Sequence, residues 1–191
     1  MDHQQIRLGL FSGIVQATNP VFIILSVGVP VGALIYALNL ESLTPLNYVH
    51  IMAGSLWTGI DLYLGFVLGP VLGRLAPGER VAVFMRLMPR MTFLMPVLAG
   101  VTFTSALELT NRMGLPLDNP WVIAALVVTG ILAIQGFAIL LPNEIRIFKQ
   151  LLSGKPDIDK VSRLGMQNAR LGGVQGLFQL AIIFIMASIR F

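Results

Sequence analysis

The segment from His50 to Gly65 reads HIMAGSLWTGIDLYLG, an apolar run that carries a histidine, a tryptophan and an aspartate. At about 100° per residue, positions 50, 57, 61 and 68 of a helix fall within roughly 40° of one another, so His50, Trp57 and Asp61 share a face. At about 1.5 Å of rise per residue, Asp61 lies some 16 Å deeper than His50, near the middle of a bilayer. An ionisable group at that depth costs at least about 2.5–3.5 kcal/mol to insert, so it turns to the bundle interior and takes a partner. The chemistry expected of Asp61 is that of a proton acceptor or cation site. The alternative is a structural carboxyl, held protonated or paired with Arg90, Gln175 or Gln179.

His50 lies at the boundary of the same span and is a candidate ligand for a metal ion or haem iron. Trp57, on the same face, joins it as a candidate cofactor-binding residue. The only other histidine, His3, falls on the opposite side, so a haem would need His50 with a methionine, water or another subunit. Glu41, Glu108 and Asp118 gather at the His50 end, and His50 with Glu108 is a candidate divalent-cation site; solvated loop acids are the plainer reading. Met88, Met91 and Met95 stack on one helical face, a set suited to monovalent copper or to adaptable packing. Asn168, Gly172, Gln175 and Gln179 follow the three-four spacing of a single helix face. With Gly173 and Gly176 beside them, they form either a close-packing seam or the wall of a solute or quinone pocket, with Asn168, Gln175 and Gln179 as lining residues.

The elements that must position these residues follow from composition. Charged residues make up 12% of the chain against about 25% in soluble domains. Apolar residues make up 55%, and the mean hydropathy is +0.81. Such a chain cannot cover its surface with polar groups and must face lipid. The expected fold is all-α, a single bundle of about five transmembrane helices over 1–191, with spans near 20–40, 47–73, 81–110, 120–142 and 160–190. An interfacial helix is expected over 6–18, where Ile6, Leu10 and Ile14 share a face. Asn19-Pro20 starts the first span and Pro30 kinks it. Thr44-Pro45 precedes the second span, Ala76-Pro77-Gly78-Glu79 supplies a turn, and Pro89 and Pro96 bend the third. Pro120 opens the fourth span with Trp121 as its interfacial anchor. That helix continues toward Leu152 before Ser153-Gly154, and Asp157 or Asp159 caps the fifth.

Eleven of the thirteen basic residues fall on the side that holds Arg7 and the links after spans two and four; Arg112 and Arg190 fall on the other. The N-terminus is therefore expected in the cytoplasm. The same rule explains the +4 net charge without nucleic acid as a partner. No cleavable signal is recognised near the N-terminus, and the spans leave no room for a separate soluble domain, so function is expected between the helices or at their ends. The chain has no cysteine, which excludes disulfides, thiolate catalysis and Cys-ligated metals. It also carries no phosphate-binding glycine loop, no His-Glu-x-x-His and no serine nucleophile elbow. An odd number of spans and the lack of an internal repeat argue against a simple inverted-repeat transporter.

The pattern His50…Trp57-x-Gly59, with Gly54 and Gly65 adding to the glycine-rich character of the helix, resembles the copper-resistance-D-like group of small membrane proteins. That group is similar in turn to a haem-binding, bacterial protoporphyrinogen-oxidase type. The resemblance covers about 25 residues and implies a redox or metal-handling protein that binds haem b or a metal through His50; the second intramembrane histidine of the haem-binding members is missing here. Two further expectations stand beside it. One is a proton-coupled permease for a small solute or ion that uses Asp61. The other is an accessory subunit packed, as a homo-oligomer or within a larger complex, in a prokaryotic plasma membrane.

Overall fold

The computed structural model describes residues 18–189. The expected interfacial helix before residue 18, His3, Arg7 and Arg190 lie outside the described residues. Among the described residues, five helices are long and apolar enough to cross a membrane: α1 (Pro20–Leu38), α2 (Leu43–Gly73), α3 (Pro77–Arg112), α4 (Pro120–Gln150) and α5 (Ile158–Ile189). No strand occurs among the described residues. The chain is an all-α, multi-pass membrane bundle. Only 11% to 28% of each span's apolar window is buried within the chain, so most of the apolar surface is left to lipid or to other chains.

Side-chain caps fix the helix starts. Asn19 Oδ1 accepts from the Val21 N–H at 2.9 Å, and Pro20 takes the first helical position. Helix α2 begins at Leu43, about one turn before the expected start, with the Ser42 hydroxyl accepting from the Thr44 N–H at 3.4 Å. Pro45 is tolerated there because first-turn N–H groups have no helical acceptor anyway. Helix α3 likewise starts at Pro77, where the Glu79 carboxylate accepts from the Ala76 N–H at 2.9 Å. The sequence Ala76-Pro77-Gly78-Glu79 is thus a helix start and not the expected turn. In α4, Asn119 Oδ1 accepts from the Trp121 N–H at 2.9 Å, and the helix runs on to Leu152 before Gly154 turns the chain at φ +71°. Asp157, rather than Asp159, holds the start of α5, its Oδ1 accepting from the Lys160 N–H at 3.0 Å.

Three spans contain a wide π turn, over Ile24–Gly28, Tyr63–Leu68 and Gly136–Leu140. Each ends within two residues of a proline, Pro30, Pro70 and Pro142 respectively. Proline donates no N–H to the carbonyl four residues back and crowds it, and a π turn moves that carbonyl aside. In α3 the α-helix is continuous through both Pro89 and Pro96.

Helix α5 packs against α2, α3 and α4, while α1 packs against α2 and α3. Glycines set the closest approach. A Cβ on Gly65 of α2 would overlap the backbone of Gly173 in α5, and one on Gly165 would enter the Phe84 ring. Two apolar clusters fill the ends of the bundle. One joins α1, α2 and α3 through Leu34, Leu46, Ala53, Leu98 and Val101. The other joins α2 to α5 through Leu72, Phe84, Ile147 and Val161, at the end that bears the basic links. Arginines close the helix ends: Arg112 donates to the carbonyls of Leu38 and Leu40, and Arg80 to those of Gly73 and Leu75. Between the two clusters, the Pro120–Gln135 part of α4 leans on α5 and makes only slight contact with α3. That leaves space along the middle of the bundle.

Candidate functional site

Two cavities occupy this space. The first, of about 330 Å³, lies toward the basic end and is lined by Asp61, Met88, Glu144, Asn168 and Gln175 among others. The second, of about 470 Å³, lies toward the opposite end and is lined by His50, Thr58, Thr102, Gln179 and Met186 among others. Trp57, Phe103, Thr129 and Leu132 line both, so the cavities share a wall.

Asp61 lines the first cavity and is 2% exposed, while its partner Gln179 lines the second. The Gln179 amide Nε2 donates to its Oδ2 at 3.0 Å across 118 positions of sequence. Trp57, one turn earlier on α2, lines the same cavity as the carboxyl. Of the three partners weighed from sequence, Gln179 makes the bond. Gln175 lines the first cavity with Asp61, whereas Arg90 donates within its own helix to the Arg86 carbonyl. No Lys, Arg or His lines the first cavity, so the carboxyl meets neutral donors there and no fixed positive charge. The approach of α5 depends on its glycines, since a Cβ on Gly172 would sit 3.3 Å from Asp61 Oδ1. Gln179 Oε1 is buried without a hydrogen-bond partner.

The polar seam of α5 therefore both packs and lines. Asn168 accepts at Oδ1 from Asn143 Nδ2 at 3.0 Å and donates from its own Nδ2 to the Leu140 carbonyl at 3.1 Å. That carbonyl belongs to the π turn of α4. Arg146 in turn donates to Asn143 Oδ1 at 3.2 Å. Gln135 Nε2 donates to the Leu171 carbonyl at 2.6 Å, tying α4 to α5 near the middle of both. Met88, Met91 and Met95 all lie on the wall of the first cavity.

Glu144 was not foreseen. It follows Pro142, where the fourth span was expected to leave the bilayer, and an acid there reads as solvated. The helix instead carries it back against α3, where the Thr92 hydroxyl donates to Glu144 Oε2 at 3.0 Å. It lines the first cavity and lies close enough to Asp61 to interact with it electrostatically. The continuation of α4 to Leu152 was the signal that could have found it.

His50 is half-buried. Its Nδ1 lies 3.0 Å from the Thr102 carbonyl oxygen and 3.2 Å from Ser105 Oγ. A carbonyl only accepts, so Nδ1 carries a proton, which in the neutral ring leaves Nε2 bare. That nitrogen faces Met186 Sδ at 3.4 Å. These two atoms are the ones that would hold a soft metal ion there, were one bound. Glu108 is engaged elsewhere, accepting from Arg112 Nε at 2.6 Å. Among the described residues no three His, Asp or Glu side chains gather as a metal site. In comparisons with known proteins, no family model, no curated protein and no solved structure matches this chain.

Proposed function

We propose that the protein is a proton-coupled membrane permease in which Asp61 is the group that takes up and gives up the proton. The observation that carries this reading is the position of Asp61, buried on the first cavity and hydrogen-bonded to Gln179 of the second, with no basic residue on the first cavity's lining. A fixed cation would lock such a carboxyl in its charged form, and no Lys or Arg lines this cavity. The primary amide of Gln179 suits both forms of the acid: its NH2 donates to a carboxylate, and with the amide turned its oxygen accepts from a carboxylic acid. Slight packing between α3 and the Pro120–Gln135 part of α4 leaves room for the wall to rearrange.

The test imposes gradients of a panel of small solutes across proteoliposomes that enclose a pH-sensitive dye. Proton movement driven by at least one solute is expected in the wild type and lost in Asp61→Asn, with the folded fraction unchanged. Equal movement in the variant, or none with any solute, rejects the reading.

A second reading rests on a separate observation, the bare His50 Nε2 beside Met186 Sδ with the ring oriented by Thr102. Histidines that bind metals commonly donate their other N–H to a carbonyl in this way. The donor pair suits one soft ion, in keeping with the metal-handling role that the His50…Trp57-x-Gly59 resemblance implies. Stoichiometric metal in the purified protein that disappears in His50→Ala is the expected result; a metal-free, well-folded wild type would sink it.

A further inference from the structure

The first cavity has a composition that selects among solutes. Two carboxyls, Asp61 from α2 and Glu144 from α4, enter a wall that is otherwise almost wholly apolar, with Phe84, Met88, Met91 and Met95 among its side chains. Glu144 is held by the Thr92 hydroxyl of α3 and Asp61 by Gln179 of α5, so each acid is tied to a neighbouring helix rather than paired with the other. From α3 and α5 the groups facing them are neutral: methionines, phenylalanines, Asn168, Gly172 and Gln175. Helix α1 contributes nothing to the lining. His50 lines the adjoining cavity with Gln179, and Arg146, on the same helix as Glu144, donates to Asn143 Oδ1.

Two carboxylates in a low-dielectric cavity without a counter-ion repel each other and lack solvation. Protons relieve this, and so does one cation lying between them. A bare inorganic ion of the Ca²⁺ or Mg²⁺ type asks for about six oxygen ligands, and this lining offers few beyond the two acids. A cation that brings its own apolar bulk fits better: its charge meets the carboxyls and its body meets the methionines and phenylalanines. The faces of Trp57 and Phe103 add a surface that attracts such cations. The volume of about 330 Å³ is at the small end of ligand cavities.

We propose that this cavity binds a small lipophilic organic cation, with Asp61 and Glu144 as its paired carboxyl contacts and protons as its competitors. The proposal rests on the permease reading and names the substrate class of the same site: one cation enters as the carboxyls release protons, and protons return as it leaves.

Trp57 lines the cavity and the only other tryptophan is Trp121, so the Trp121→Phe protein reports occupancy through a single fluorophore. The probe is phenyltrimethylammonium, whose charge cannot titrate, compared with its uncharged isostere tert-butylbenzene. Saturable quenching by the cation is expected, at least tenfold tighter than by the isostere. Lowering the pH should weaken it about tenfold, and Asp61→Asn or Glu144→Gln should each weaken it by a similar factor. Glu144→Gln serves as the second variant if Asp61→Asn does not fold, and it leaves His50 in place. The isostere binding as tightly as the cation, or cation binding unaffected by Glu144→Gln, overturns the proposal. Asp61-dependent proton movement driven by a neutral solute, with no cation binding, overturns it while leaving the permease reading intact. Cation binding without any driven proton movement overturns the permease reading and leaves the site as a binding site only.

Discussion

A primary amide buried between helices has few partners to choose from, and Asn143 and Asn168 meet each other through one bond. Arg146 reaches Asn143 Oδ1, and Asn168 reaches the Leu140 carbonyl, which completes a chain of three bonds that crosses from α4 to α5 and returns to α4. Asn143→Ala removes the donor to Asn168 and should lower stability in detergent by about 0.6–1.7 kcal/mol, the range for interhelical hydrogen bonds in membranes. Arg112 is a stronger case, because its guanidinium bonds Glu108 and two carbonyls at the end of α1 together. Arg112→Ala should cost about 1.5–3 kcal/mol and fray α1, seen as faster amide exchange near Leu38; unchanged exchange there would contradict the capping role. Asp61 was legible as a buried acid in need of a partner. Met186 was not, since nothing in its own neighbourhood of sequence marks it as the residue that faces His50.

At the scale of elements, glycines decide how near α5 comes to α2. Gly65→Ala sets a Cβ against the Gly173 backbone, which cannot move aside as a side chain can, and should cost about 1–3 kcal/mol. Gly59→Ala, on the same helix with nothing within 4 Å of the added Cβ, should be neutral or gain up to about 1 kcal/mol from helix propensity. Thermal or denaturant unfolding of the two variants in one detergent compares them directly, and equal stabilities would remove the close contact from the account. The π turns were only half legible. Prolines announced irregularity in α1, but the same residue type leaves α3 a continuous α-helix at Pro89 and Pro96.

For the whole molecule, the asymmetry of basic residues sets an orientation that can be checked without background, since the chain has no native thiol. Single cysteines at Ser153 and at Pro116 lie in links at opposite ends of the bundle. A membrane-impermeant thiol reagent added outside intact cells should label Pro116→Cys and leave Ser153→Cys untouched until the membrane is opened. The reverse pattern would invert the topology and with it the side from which each cavity is reached.

The sequence alone determined that there are five spans and roughly where each begins, because a polar backbone or charge in lipid is penalised residue by residue and caps act over a single turn. It also placed Asp61 deep in α2 and Gln175 and Gln179 on one face of α5. Only the tertiary structure decided that Gln179 rather than Arg90 meets Asp61, that Glu144 turns inward, and that His50 faces Met186. Those pairings depend on the rotation and crossing of helices far apart in the chain. Rotation and crossing are set by glycine contacts and proline-driven π turns acting together, which no local window of sequence contains.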